Sequence, residues 1–409
     1  MKKFEIPEKY VSNLIQRIKA HRKIKDPRKQ DFSPSILDLG NVELILPRHF
    51  GFCYGVENAI EKSYKAITEN PGKRVYLLSQ MIHNPHVNDD LISMGMQFIS
   101  DTEGNQLIPW EQIRSEDIVI IPAFGTTIEI EQHLQNIGAE IQQYNTTCPF
   151  VERVWKRSAE IGQAGFTIVI HGKHKHEETR ATFSHSAQHA ASIVIRNMKE
   201  AEELAMFIRD DSKADSFHEI FGNRCSLNFD PRVHLSRIGV VNQTTMLASE
   251  TQEISDFLKS IVQEKYGDLW QGHFADTRDT LCYATNDNQQ ATIAASEHGS
   301  DIAIVIGGYN SSNTAQISEI LSRKTPTYFI QDENELLSNE MIRHFDYPHQ
   351  ELRTTAHWIP DKPKIRAVIT SGASCPDSVF ESVVQRFIEL TQASRSTEAA
   401  LTDLGVNLA

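Results

Sequence analysis

Residues 301–320 read "DIAIVIGGYNSSNTAQISEI". The first part is a short β-branched apolar run with the length and composition of a buried strand. A polar cluster, "YNSSN", follows at once, and a longer helical pattern begins after it. Strand, polar turn and helix form the repeating unit of an α/β protein with parallel sheets. The same unit recurs along the chain, with strands expected in "VELILP", "VYLLS", "DIVIIPAFG", "FTIVIHG", "SIVIR", "RIGVVNQTT", "PTYFIQ" and "AVITSGAS". Polar clusters close many of them: "HFGFCYG", "NTTCP", "HGKHKHEET", "VNQTT", "YNSSN" and "SGASCPD". Ligands of open parallel sheets bind outside the carboxyl ends of the strands. Six such loops from one chain could surround a single site.

At 409 residues the chain is long enough for two to four domains and a substantial core. No apolar run approaches the roughly 18 residues needed to cross a bilayer, so no membrane span is expected. A formal charge of -13 argues against a nucleic-acid surface, which neutralises phosphates with Lys and Arg. It does not argue against a small anion, which amides and hydroxyls can bind locally. Residues 1–30 run against the overall charge, with ten Lys or Arg and three acids. A transit peptide would be similarly basic, but Ser is scarce and Glu5, Glu8 and Asp26 intervene. Tyr10, Val11, Leu14, Ile15 and Ile18 are spaced as one helical face, so the segment reads as an amphipathic arm on the protein body. With no secretory signal, the expected location is cytoplasmic, the plastid stroma being the weaker alternative.

The five cysteines, at 53, 148, 225, 282 and 375, are odd in number, and no two make a CxxC pair. A disulfide framework and a zinc ribbon are both disfavoured. A lone cysteine is most often buried filler. Three of these stand instead at junctions of elements. Cys53 lies between glycines in "GFCYGV", Cys148 precedes Pro149 in "TTCPF", and Cys282 heads a helical pattern in "LCYATNDNQQA", where exposed amides favour the thiolate. Three thiolates suit either a catalytic zinc or a cubane iron–sulfur cluster with one open iron. Their separations, 95 and 134 residues, are each about one small α/β unit. The expected organisation is an arm at 1–41, α/β domains at 42–147, 148–281 and 282–388, an irregular inserted loop at about 209–236 containing Cys225, and a polar tail at 389–409.

Eight stretches carry a family resemblance: "GFCYGVENAI", "HNPHVNDDL", "TTCPFVERVW", "HKHEETRAT", "NQTTMLASET", "LCYATNDNQQA", "GGYNSSNTAQISEI" and "SGASCPDSVFESVV". In order and in most residues, the region 44–388 resembles the 4-hydroxy-3-methylbut-2-enyl diphosphate reductases. The arm, the "PAFGTT" loop and the segment before "VNQTT" resemble the extended plant and cyanobacterial type. The resemblance implies three small α/β domains with mainly parallel sheets around a central 4Fe–4S cluster, bound by Cys53, Cys148 and Cys282, with one open iron for the substrate hydroxyl. It implies that His83, His176, Ser311, Ser312, Asn313 and Ser374 bind the diphosphate, and that Glu178 supplies the proton with Thr244 beside it. The His-x-Glu spacing selects His176 and Glu178 from a stretch that also holds His171, His174 and Glu177.

Two positions depart from the simpler bacterial members. Phe124 stands where they carry a histidine, which leaves a diphosphate contact to Thr126 or Thr127. Cys375 stands beside Ser374 in place of a small non-thiol residue and reads as buried filler. The activity implied is reductive removal of the allylic hydroxyl to give isopentenyl and dimethylallyl diphosphates. With no flavin or nicotinamide motif in the chain, ferredoxin or flavodoxin is the implied electron donor. The rivals are a cluster-binding or metal-binding sensor without catalysis, which would not need Glu178, Thr244 and the hydroxyl-rich loops, and a zinc hydrolase.

Overall fold

The computed structural model describes residues 4–141, 143–275, 280 and 282–406; residues 1–3 of the arm and 407–409 of the tail lie outside them. The chain divides into two compact units, one made of Met1–Glu57, Ile82–Asp89 and Tyr283–Ala409, the other of Asn58–Met81 and Asp90–Cys282. Segment 42–147 therefore contributes to both.

The first unit is built on a five-stranded sheet. It begins with β1 (Ser35–Asp38), antiparallel to β2 (Val42–Leu46). Next come β14 (Ile365–Ser371), β10 (Ile302–Ile306) and β11 (Thr327–Ile330), all parallel to β2. Alternate side chains point to opposite faces of a strand. Leu44, Leu46, Ile304, Ile306, Ala367 and Ile369 accordingly share one core with Phe380, Val383, Val384 and Phe387 of the helix Asp377–Thr391. Ile45, Ala303, Val305 and Val368 pack against Ala295, Ile317 and Leu321 on the other face. A hairpin, β12 (Met341–Asp346) with β13 (Glu351–Ala356), is not hydrogen-bonded to this sheet but packs on it, with Ile342 buried in the first core and Phe345 stacked on Tyr309.

The second unit holds two parallel sheets. One has the order β4 (Gln97–Phe98), β3 (Val75–Leu77), β5 (Ile118–Ile120). The other runs β7 (Ser192–Ile195), β6 (Thr167–His171), β8 (Ile238–Asn242), β9 (Phe274–Ala275). Ile168, Ile170, Val194 and Val241 meet the helix Pro149–Gln163, while Val169, Ile193, Ile195 and Val240 face the opposite core. All nine strands expected from the sequence are present, and the fold is mixed α/β with mainly parallel sheets. No helix among the described residues is long and apolar enough to cross a membrane.

Two segments are more ordered than their composition suggests. The region 209–236 is not an open loop, because Phe217, Phe221 and Phe229 are buried in the second unit's core and Phe217 stacks on Phe229. The polar tail forms a helix, Thr397–Leu404, capped by Ser396, and buries Ala400, Leu401 and Val406 in the first unit. The arm forms the helix Asn13–Lys25, capped by Ser12, and its apolar face enters the same core through Leu14, Ile15 and Ile18. Ile15 is fully buried, so Ile15→Ala should lower the unfolding free energy by about 2–4 kcal/mol. Urea denaturation followed by circular dichroism measures this, and a loss under about 0.5 kcal/mol would mean that the arm is not part of the cooperative core.

Candidate active site

In the first unit, site residues gather where β10 and β14 end. Gly307 and Gly372 follow these strands, and a Cβ on either would lie 2.4 or 2.1 Å from Thr314 Oγ1. Side chains are excluded there, so Thr314 can sit at the head of the helix Ser312–Ser322. Ser311 caps that helix, its Oγ accepting from Thr314 N at 3.2 Å. Asn313 is locked in one orientation. Its Oδ1 accepts from Ala373 N at 2.9 Å and from Asn288 Nδ2 at 3.3 Å, while its buried Nδ2 makes no hydrogen bond among the described residues. An orphan buried donor costs stability unless a ligand satisfies it. Ser312 and Ser374 are buried alongside.

Cys53 and His83 join the same cluster. Cys53 N donates to Ala373 O at 3.1 Å, and Gly51 N donates to Ser371 Oγ at 3.1 Å, which hangs the cysteine loop on the end of β14. The carbonyl of buried His83 accepts from Ser374 Oγ at 3.1 Å. A Cβ on Gly308 would lie 2.5 Å from that carbonyl, so only glycine permits the approach. Three residues along, His86 pairs with Asp332 at 3.1 Å, and the carboxylate holds this histidine toward its charged form. His86, Asp332 and Asn288 were not foreseen as part of the site. Asn288 and His86 lie inside the motifs that carry the resemblance, whereas Asp332 has no sequence signal.

In the second unit, a carboxyl group stands between the ends of β6 and β8. His176 caps the helix Glu177–Ala187, its Nδ1 accepting from Glu178 N at 3.2 Å. That bond leaves Nε2 as the nitrogen able to carry the ring's proton. Glu178 is buried, with Oε1 accepting from Thr244 N at 2.5 Å and Oε2 from Thr244 Oγ1 at 2.9 Å. Burial pushes its pKa up to about 7 despite both bonds, which favour the carboxylate. The neighbouring Gln243 ties the two strand ends together, its Oε1 accepting from Lys173 N at 3.1 Å and Thr179 Oγ1 at 3.0 Å.

The remaining candidates sort by their partners. Glu177 is buried and accepts from the Ser79 hydroxyl, so it is a structural carboxylate and not a solvated one. His171 is fully buried against Thr251 at 2.8 Å, and desolvation lowers its pKa to about 4. His174 is exposed. Phe124 meets the His176 ring edge-on, with centroids 5.6 Å apart. Thr127 is committed to capping the helix Ile128–Ile137. Cys375 is fully buried, which pushes its thiol well up, and Cys225 lies at a bridge to β7 with its thiol also raised by burial.

Cys53, Cys148 and Cys282 differ from both. Each immediately precedes a helix: Tyr54–Glu69, Pro149–Gln163 and Tyr283–Glu297. Cys148 is the N-cap of its helix, and its N donates to Ala123 O at 3.0 Å beside the Phe124 loop. Amide dipoles at helix N-termini stabilise thiolates, the form that binds soft metals. Among the described residues no group of three or more His, Cys, Asp or Glu is arranged to hold a metal ion.

With this geometry in hand, residues 44–388 match the family model described as LytB protein. The chain belongs to the LytB family. It is 35% identical over 383 residues, 93% of this chain and 90% of the relative, to a protein of Nostoc punctiforme named 4-hydroxy-3-methylbut-2-enyl diphosphate reductase. Proteins of the same name from a Picosynechococcus species and from Prochlorococcus marinus are 36% and 37% identical, over 96% and 94% of this chain and 91% and 92% of theirs. The fold is shared with the solved structure of the Plasmodium falciparum reductase, at a TM-score of 0.60 and 19% identity, covering 85% of this chain and 87% of that one. A second solved reductase, titled the terminal enzyme of the non-mevalonate pathway, aligns at a TM-score of 0.50 and 24% identity over 85% of this chain and 99% of its own.

The contrast between the adjacent glutamates of this LytB chain is testable. Ser79→Ala removes a donor from buried Glu177 and should cost about 1–3 kcal/mol of stability. Thermal unfolding measures it, and an unchanged midpoint would show that Glu177 does not depend on this bond.

Proposed function

We propose that the chain catalyses reductive dehydroxylation of 4-hydroxy-3-methylbut-2-enyl diphosphate to isopentenyl and dimethylallyl diphosphates, the last step of the non-mevalonate pathway. The observation that carries this reading is the buried Glu178 carboxyl group, pinned by Thr244 and poised near neutrality. Two electrons and two protons are consumed. The allylic C–O bond breaks, its oxygen leaves as water, and a C–H bond forms on the allyl fragment. Hydroxide is a poor leaving group, so the proton must arrive as the bond breaks.

The cofactor in this reading is a 4Fe–4S cluster held by Cys53, Cys148 and Cys282, with one iron lacking a protein ligand. Three thiols placed immediately before helices suit such a group, and because Cys282 is buried while Cys225 is half-buried, it is this position and not burial that sets the three apart. When bound, the cluster supplies one-electron chemistry and a Lewis-acidic iron. The chain supplies the rest. Asn313, with its oriented and unsatisfied Nδ2, and the hydroxyls of Ser311 and Ser312 offer neutral donors to diphosphate oxygens, joined by His83, by His176 through Nε2, and by Ser374 once its hydroxyl turns from the His83 carbonyl. Phe124 adds no donor and fixes one side of the His176 ring. Electrons come from a ferredoxin or flavodoxin.

Two experiments test this reading. Protein purified and assayed without oxygen should convert the diphosphate to both products when a reduced low-potential dye is supplied. Glu178→Gln should keep its iron and its diphosphate affinity but lose about 10²- to 10⁴-fold in turnover. Because the acid form of Glu178 declines as pH rises through about 7, wild-type turnover should fall on the alkaline side. Near-normal turnover in Glu178→Gln would remove the proton-donor role, and iron binding without any turnover in the wild type would favour a sensor.

The ligand assignment is tested separately. Replacing Cys53, Cys148 or Cys282 by Ser should deplete iron and sulfide and abolish turnover, whereas Cys225→Ser and Cys375→Ser should retain both. A full iron complement in Cys148→Ser would overturn the assignment.

A further inference from the structure

The N-terminal arm touches the residues on both sides of Cys53. Phe4 packs edge-on against Tyr54 at 4.9 Å between centroids, and Tyr10 against Phe52 at 5.9 Å. Phe32 does the same to His49 at 5.7 Å. Lys19 Nζ lies 4.9 Å over the Phe50 ring while pairing with Asp377 at 2.7 Å, and a Cβ on Gly51 would fall 2.9 Å from that nitrogen. The arm is thus the wall behind the cysteine loop, all within the first unit.

The outer side of that wall is cationic. Arg17, Lys19 and Arg22 are neutralised by Glu398, Asp377 and Asp31. Lys23, Lys25, Arg28 and Lys29, at the end of the helix and in the turn after it, are exposed and form no ion pair among the described residues. In their midst Ile24 is 82% exposed. Lys29 interacts with two half-buried carboxylates, Glu57 and Asp287, whose pKa values desolvation raises. On a chain of net charge -13, residues 23–29 hold four cations against one acid, Asp26, around an apolar side chain, a local reversal of sign. An apolar centre with a charged rim is how interfaces steer and select an oppositely charged partner.

We propose that Lys23, Ile24, Lys25, Arg28 and Lys29 form the docking face for a small acidic electron-carrier protein, which delivers electrons through the arm side of the Cys53 loop. This rests on the reductase reading above, which requires an external one-electron donor. Per turnover two carrier molecules are oxidised by one electron each, two protons are taken up, the C–O bond is reduced and one water is released. The face belongs to the arm that packs on the loop of a proposed cluster ligand through Phe4, Tyr10 and Lys19, Lys29 lies close enough to act on Glu57 just after that loop, and the charge of the face complements an acidic carrier. An anionic membrane surface would meet the same cations, but a single exposed apolar residue offers little area to insert.

The test uses the full-length holoenzyme, driven in parallel by reduced ferredoxin and by reduced methyl viologen. Lys23→Glu/Lys25→Glu/Arg28→Glu/Lys29→Glu should raise the KM for ferredoxin at least about tenfold at low salt and leave viologen-driven kcat unchanged. The wild-type KM for ferredoxin should rise between about 20 and 300 mM salt, and the variant should lose that dependence. Lys213→Glu, exposed on the other unit, should change neither. Should the fourfold variant lose viologen-driven activity as well, Lys25→Gln/Lys29→Gln gives the reading, with an expected rise in KM of about threefold. An unchanged KM for ferredoxin in a variant active with viologen overturns the proposal. So does binding of the wild type to phosphatidylserine vesicles with a ferredoxin KM insensitive to these charges. A wild type inactive with viologen would instead remove the reductase reading itself.

Discussion

The parallel pairing of β2 with β14, which sets Val42 opposite Ile365, is the constraint on which the first unit depends. It closes the sheet from segments at opposite ends of the chain, and parallel strands cannot pair without a long crossover between them. Once it forms, the loop after β2 lies against the loop after β14, and Cys53 can hydrogen-bond to Ala373. The same pairing leaves β10 next to β14, so that the Ser311–Asn313 turn and Ser374 share one edge of the sheet. Everything polar there follows from parallel strands ending at the same level.

Precision at that edge comes from small residues more than from large ones. Gly307, Gly308 and Gly372 each stand where a Cβ would collide with Thr314 or with the His83 carbonyl. Their absence of side chain lets backbone and hydroxyl groups close in, and the cluster then holds Asn313 in one orientation with a donor left over. The second unit uses a different device. Glu178 is taken out of water and given two donors from one threonine, so that desolvation and hydrogen bonding oppose each other and leave the acid near neutrality. Neither arrangement needs net positive charge, which fits an anionic ligand bound by an acidic chain.

Much of this was legible in the chain itself. The β-branched runs of β2, β6, β8, β10 and β14 are fully or nearly fully buried, and a strand buried on both faces declares itself as a continuous apolar stretch. The polar clusters after them marked the loops correctly, because polar residues at a strand end have few other reasons to interrupt the pattern. The missed strands had no such signal. In β12 and β13 most side chains are exposed or half-exposed, so no apolar alternation was there to read. The region 209–236 and the C-terminal tail were read as irregular because only three phenylalanines in one, and Ala400, Leu401 and Val406 in the other, carry their burial.

Sequence alone determined the fold class, the strand–loop–helix rhythm and which residue types line the strand ends, since hydrophobic periodicity and turn chemistry are local properties. Family resemblance, also carried by local stretches, singled out Glu178 from Glu177 and His176 from its neighbours. The tertiary structure decided how the two carboxyl groups differ. Adjacent glutamates at the start of one helix project in different directions, so Glu177 meets Ser79 while Glu178 meets Thr244, residues that only folding brings near. It also decided that the arm, whose charge was visible from the start, backs the Cys53 loop, because ring contacts between residues about 40 to 50 positions apart leave no trace in local sequence.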